Sequence, residues 1–364
     1  MRARRRSGPV ARLLGALLPG AAMAVAVSAA ATAAAAPVAA ATAAVATAAA
    51  APADVAFTPA TSAAPATAVA ASADEARVDE RRREGWGPVS LPFSEQRDLR
   101  SQATGRTYRI FVSQPPGEAP PDGFPVVYVL DGNAYFPALS LQAHALGQRP
   151  DPSLREAVLV VGIGYPADAL VDIPTRAEDY TPPAPDAAQS GDRLASRHGG
   201  AERFLDFIEH ELKPRIAARY RVDPARQTLF GHSYGGLFTL YTLFTRPQAF
   251  QAYVAASPSI WWNRGYLLGL VPRLARATYP PVRLLLSVGG AEQPAPGAPL
   301  ATPRDRHLAE RRMVDNAREL AAALAGMPGL QVRLHIEPDA DHAANGLLTA
   351  PRVLDFARQP GAPR

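Results

Sequence analysis

Gly231-His232-Ser233-Tyr234-Gly235 is the segment best equipped for chemistry, a G-x-S-x-G run with a further small residue at Gly236. A serine hydroxyl becomes a nucleophile only when a neighbouring base takes its proton. The motif follows a strand-like run, Gln227–Phe230, and precedes a helical one, Leu237–Phe244. In that setting the serine sits on a tight strand-to-helix turn with its hydroxyl held out of the sheet. Small residues flank it because the turn is crowded. The amides that open the following helix point at developing negative charge. Without the two flanking elements the same five letters describe only a Gly-rich turn with a chance serine.

The base comes from the histidines after Ser233, which are His307, His335 and His342. His335 lies inside a strand-like run and reads as a packed or edge residue. His307 opens a helix and reads as solvated. His342 follows the last strand in a loop, where the base belongs when the chain order is serine, acid, histidine. The acid is expected after the strand Val282–Val288, and Glu292 is the first carboxylate there. Asp339 and Asp341 are nearer His342 in sequence, but side chains so close along the chain diverge. Asp305 reads as a helix cap. A Ser–His dyad without an essential acid stays open beside Glu292. An oxyanion hole needs two backbone N–H groups, one from Tyr234 and one from the Asp131-Gly132-Asn133 turn, at Asn133 or Gly132. Turn chemistry alone would also explain Asp-Gly-Asn.

Strands and helices must alternate to position these groups. Phe93–Arg100 and Thr107–Val112 flank a Gly-containing turn and read as a hairpin. Pro125–Leu130 and Ala157–Ile163 are apolar runs of the kind buried on both faces of a sheet. Ala138–Leu146 reads as a helix, Tyr165 to Gly200 as a long loop, and Ala201–Tyr220 as an amphipathic helix with Phe204, Phe207, Ile208, Leu212 and Ile216 on one face. Ala252–Ala256, Val282–Val288 and Leu330–Ile336 read as further strands, and His307–Ala325 and Gly346–Arg358 as helices. The alternation predicts an α/β fold, a mostly parallel central sheet with helices on both faces.

The chain has 364 residues, 48% hydrophobic, with no cysteine and a formal charge of +5. Such a composition supports a sizeable core and excludes wholesale disorder. It also excludes disulfides, cysteine nucleophiles and Cys-ligated metal. The body lacks a dense basic run, so no nucleic-acid partner is expected, and no cofactor or metal is expected either. Residues 1–28 combine a basic start, an apolar stretch interrupted by Pro19 and Gly20, and small-residue runs, which predicts an export signal and a periplasmic or secreted protein. A membrane tether is the rival if the segment is not cleaved. Residues 29–84, rich in Ala, Pro and Thr, read as a low-complexity linker, and residues 85–364 as the folded domain.

Five segments carry a resemblance: Tyr128-Val-Leu-Asp-Gly-Asn133, Asp179-Tyr-Thr-Pro-Pro183, Arg203–Leu212, Gly231–Leu237 and Ser257-Pro-Ser-Ile-Trp-Trp262. Together they make the chain similar to the putative-esterase group of α/β-hydrolases, in the branch of the ferric-enterobactin and ferri-bacillibactin esterases. The resemblance implies the α/β-hydrolase fold, Ser233 as nucleophile, His342 as base, and the Asn133 and Tyr234 amides at the oxyanion. Some members lack the third acid, so Glu292 keeps its alternative. The implied substrate is a small-molecule ester, a siderophore tri-lactone carrying ferric iron. Arg176 would help hold so anionic a complex, or would order its loop by pairing with Glu178 or Asp179. Tyr180 would line the pocket, and Trp261 and Trp262 would wall it or would pack in the core. A general carboxylesterase, feruloyl esterase or acyltransferase is the alternative activity, and a non-catalytic envelope binding protein a remoter one.

Overall fold

The computed structural model describes residues 87, 89–151, 155–185, 190–192 and 195–359, all within the compact unit Gly85–Arg364. The expected export signal and the segment 29–84 lie outside the described residues.

Among the described residues, eight strands form one sheet: β1 (Ser94–Arg100), β2 (Thr107–Ser113), β3 (Phe124–Leu130), β4 (Leu159–Gly164), β5 (Val222–His232), β6 (Ala252–Ala256), β7 (Val282–Gly289) and β8 (Leu330–Glu337). Their spatial order is β1-β2-β4-β3-β5-β6-β7-β8. β1 and β2 are the expected antiparallel hairpin, and β2 is antiparallel to β4. Every later neighbour is parallel. Parallel strands need long crossovers, and helices supply them.

Among the described residues, the helices of six residues or more are α1 (Gly132–Gly147), α2 (Ile173–Tyr180), α3 (Ala201–Asp206, a π-helical turn Phe207–Leu212, then Lys213–Arg219), α4 (Tyr234–Thr245), α5 (Val271–Arg276), α6 (Pro303–Arg311), α7 (Met313–Leu324), α8 (His342–Leu348) and α9 (Ala350–Arg358). Side chains of a strand alternate between faces. In β3, Val126, Tyr128 and Leu130 join the core shared with Phe204, Phe207, Leu237 and Phe238 of α3 and α4. Val127 and Val129 face the other way, onto Phe136 and Leu139 of α1 and Val353, Leu354 and Phe356 of α9. Burying such a side chain contributes about 1.5–3 kcal/mol. This two-sided burial explains why the central strands read as unbroken apolar runs.

Four expectations need correction. The segment Tyr165–Gly200 is not all loop, because α2 lies within it, capped by Asp172, whose side chain accepts from the Thr175 amide at 3.1 Å. α1 begins at Gly132, several residues before Ala138. The helix expected over His307–Ala325 is two, broken where Arg312 adopts a left-handed conformation (φ 48°). His342 is not in a loop but is the first residue of α8, whose N-cap Asp341 accepts from the Ala344 amide at 2.9 Å.

Candidate active site

The parallel strands all end at one edge of the sheet, and every group of interest follows one of those ends. Asp131 follows β3, Ser233 follows β5, Ser257 follows β6, Glu292 follows β7 after one short turn, and His342 follows β8 after Asp341. Neighbouring strands lie about 4.8 Å apart. Side chains from adjacent strand ends can therefore meet although their positions in sequence are far apart.

Ser233 is held in an unusual backbone conformation, φ 60° and ψ −116°, between β5 and α4. A non-glycine residue there is strained, and such strain persists only where the surroundings enforce it. They do so by packing. A Cβ on Gly231 would come within 2.3 Å of the Gly235 backbone, so the turn closes only with glycine at that position. The Ser233 amide donates to the Ala256 carbonyl at 2.9 Å, and the Ser259 amide donates to the Ser233 carbonyl at 3.2 Å.

The structure brings together three of the expected residues. Ser233 Oγ lies 3.0 Å from His342 Nε2, and His342 Nδ1 lies 2.6 Å from Glu292 Oε2. Glu292 is 1% exposed. Its second oxygen accepts from the Gly289 amide at 2.7 Å and from the Ser257 hydroxyl. A carboxylate with these partners fixes the proton of His342 on Nδ1 and leaves Nε2 free to accept the serine proton. Tyr234 and Asn133 both lie in the first turn of a helix, α4 and α1, so neither amide has an acceptor within its own helix. The Asn133 side chain is occupied elsewhere. Its Oδ1 accepts from the Tyr165 amide at 2.9 Å, and its Nδ2 donates to the Tyr165 and Ala167 carbonyls, both at 3.0 Å. That side chain pins the start of α1 to the segment after β4.

The three residues expected to contact substrate are all buried. Arg176 is buried on the inner side of α2, with Nε and Nη2 each 2.9 Å from the two oxygens of Asp131. Nη2 also donates to the His232 carbonyl at 3.2 Å. Its carboxylate partner is thus Asp131, at the end of β3, and not Glu178 or Asp179. Glu178 and Asp179 pair instead with Arg106. Burial holds the Asp179 carboxyl up at about 6, against the pull of Arg106. Tyr180 is fully buried, and its hydroxyl accepts from the Asp131 amide at 3.0 Å. Trp262 is also fully buried, whereas Trp261 is partly exposed.

Several further residues hold the catalytic groups in place. A hydrogen-bonded chain runs behind Glu292. Asn345 Nδ2 donates to the Ser257 hydroxyl at 2.8 Å, Ser287 Oγ donates to Asn345 Oδ1 at 3.1 Å, and Thr349 Oγ1 lies 2.9 Å from Ser287 Oγ. All four residues are buried. His232 braces the base from the other side, its Nε2 2.7 Å from the His342 carbonyl and its Nδ1 2.9 Å from the Tyr135 hydroxyl. A carbonyl only accepts, so Nε2 carries the proton and Tyr135 donates to Nδ1. Burial, and after it the neighbouring His342, push His232 well below its ordinary pKa and keep it neutral. A groove of about 800 Å³ between β1, β2 and α3, lined in part by Glu95, Leu99 and Arg215, contains none of these groups.

Residues 101–319 match the family model described as Putative esterase. The chain is 36% identical over 282 residues to the ferri-bacillibactin esterase BesA of Bacillus subtilis, covering 75% of this chain and 92% of that protein. It is 37% identical over 276 residues to the siderophore triacetylfusarinine C esterase of Aspergillus fumigatus, covering 71% of this chain and 90% of the relative. Among solved structures, the siderophore hydrolase EstB of Aspergillus nidulans superposes with a TM-score of 0.65 at 31% identity, over 77% of this chain and 99% of that one.

Proposed function

The chain belongs to the putative esterase family, and on that premise we propose that it is an exported enzyme that hydrolyses the ester bonds of a siderophore through an acyl-enzyme on Ser233. The observation that carries the proposal is the Ser233–His342–Glu292 relay, with contacts of 3.0 and 2.6 Å, at the carboxyl edge of the sheet. In the first half-reaction Ser233 Oγ attacks the ester carbonyl while His342 Nε2 takes its proton. The oxyanion of the tetrahedral intermediate faces the amides of Tyr234 and Asn133. Such donors, fixed before the reaction, are often the largest single contribution to acyl-transfer catalysis. Collapse breaks the bond to the leaving alkoxide, which receives the proton from His342. Water then repeats the sequence on the acyl-enzyme and releases the acid. Glu292 stays ionised throughout and stabilises the imidazolium.

The relatives' names support the substrate class. Iron in such a substrate is cargo, because ester cleavage needs only acyl transfer to serine and then to water. Export rests on residues 1–28, and N-terminal sequencing of the mature protein should find a start between Ala29 and Ala51. A hydrolysis panel tests the function itself: ferric and iron-free enterobactin beside p-nitrophenyl esters. Cleavage of the tri-lactone that disappears in Ser233→Ala is expected. Efficient cleavage of the p-nitrophenyl esters alone would replace this reading with a general carboxylesterase.

A further inference from the structure

Arg311, the last residue of α6, has no ion pair among the described residues. Its guanidinium lies over the Trp261 ring, 4.3 Å from the centroid. Trp261 in turn lies 6.3 Å, centroid to centroid, from Tyr234, the residue beside the nucleophile. The charge is close enough to act on Glu292 and Tyr234. Among the described residues no carboxylate is within salt-bridge distance of Arg311, and its buried Nε has no acceptor. Asp192 is within electrostatic reach of Arg311 but is 3.3 Å from His198 and lies beside the Tyr234 phenol. Arg176 presents the contrasting case, because Asp131 grips it with both oxygens.

A partly buried cation held by a ring face and by carboxylates beyond ion-pair distance is less well compensated than a paired one. An arginine stacked on an aromatic ring uses its face for the stack and keeps its N–H edge for a planar anionic ligand. The adjoining indole suits an aromatic one. We propose that Arg311 and Trp261 form a subsite beside the acyl site that receives an anionic aromatic arm of the substrate, making the enzyme selective for a ferric tricatecholate ester over a ferric trihydroxamate ester. The inference rests on the siderophore reading above and sharpens it. Three doubly deprotonated catecholates outweigh the charge of ferric iron and leave a net anion with aromatic arms. Three singly deprotonated hydroxamates only cancel that charge and present no aromatic ring. Arg311 therefore distinguishes the two, while the relay at Ser233 treats their esters alike.

The test compares ferric enterobactin with ferric triacetylfusarinine C on the intact chain, as wild type, Arg311→Gln and Arg311→Lys. The wild type should prefer ferric enterobactin in kcat/KM, and the preference should fall as salt screens the charge. Arg311→Gln should lower the ratio of the two kcat/KM values about tenfold, mainly through the KM for ferric enterobactin. It should also remove most of the salt dependence. Arg311→Lys, which keeps the charge, should retain most of the ratio. If Arg311 only props Trp261, both substrates will lose the same factor and the ratio will hold, which overturns the subsite. A wild type that prefers the trihydroxamate at low salt also overturns it and leaves the siderophore reading intact. A wild type that cleaves p-nitrophenyl butyrate but neither ferric ester overturns both.

Discussion

Glu292→Gln is a demanding test of the relay because the surroundings of Glu292 leave the new amide no good orientation. The Gly289 amide, 2.7 Å from Oε1, can only donate, so the glutamine oxygen must remain on that side. The new NH₂ group then takes the place of Oε2, 2.6 Å from His342 Nδ1. Turning the amide over would set two donors against each other in a site that is 1% exposed, at a cost of about 1–3 kcal/mol for the unmade bond. With an amide donor facing it, His342 Nδ1 must accept, and its proton moves to Nε2. That is the nitrogen that has to take the proton of Ser233 at 3.0 Å. Locking the wrong tautomer in a serine–histidine–carboxylate site costs about 10⁴-fold in kcat, equivalent to about 5.5 kcal/mol of transition-state stabilisation. Steady-state hydrolysis of p-nitrophenyl butyrate, with circular dichroism to verify folding, measures the loss. A folded Glu292→Gln protein within about tenfold of wild type would refute this reasoning and leave a Ser–His dyad.

Other substitutions probe the neighbouring parts. His342→Ala should lower kcat by about 10³-fold or more on the same ester, since Ser233 loses its proton acceptor. Asp131→Ala should leave Arg176 charged and buried without its partner, and thermal unfolding should register a loss of about 3–5 kcal/mol, on the order of 10 °C in Tm. His232 is depressed in the folded state, so below its ordinary value of about 6.5 the unfolded chain binds a proton that the folded one does not. Its contribution to stability is complete above that pH and is lost as pH falls beneath it. A His232→Gln variant should consequently lose less Tm than wild type between about pH 7 and pH 5. Parallel Tm–pH curves for the two proteins would contradict the burial argument.

The parts of the fold legible in sequence were those governed by local pattern. Pro125–Leu130 and Val282–Val288 read as buried strands because both of their faces are covered by apolar side chains. The G-x-S-x-G turn announced itself because crowding at Gly231 permits no Cβ. Glu292 and His342 were reachable from chain order, since each follows a strand end on the same edge of the sheet. The helix α2 escaped notice because its buried face carries Arg176, Glu178, Asp179 and Tyr180, which an apolar pattern cannot reveal. Those charges are inside only because Asp131 and Arg106 meet them from elsewhere in the chain. The same blindness hides that Arg176 and Tyr180 both bond Asp131 in the interior. The Ser257–Asn345–Ser287–Thr349 chain was not legible as a unit, since Asn345 and Ser257 are 88 positions apart and meet only through the sheet. Arg311 was invisible for a related reason, because its place over the Trp261 ring is a property of three-dimensional space.

The central claim is that Ser233 forms the covalent intermediate, and labelling with a fluorophosphonate followed by peptide mass spectrometry tests it most directly. A fluorophosphonate reacts with a serine only where a base activates the hydroxyl and donors receive the developing charge. The account predicts a single adduct on the peptide containing Gly231-His232-Ser233-Tyr234-Gly235, its absence in Ser233→Ala, and loss of ferric enterobactin hydrolysis in step with labelling of the wild type. An adduct on a different residue, or full hydrolysis by the labelled protein, would contradict it.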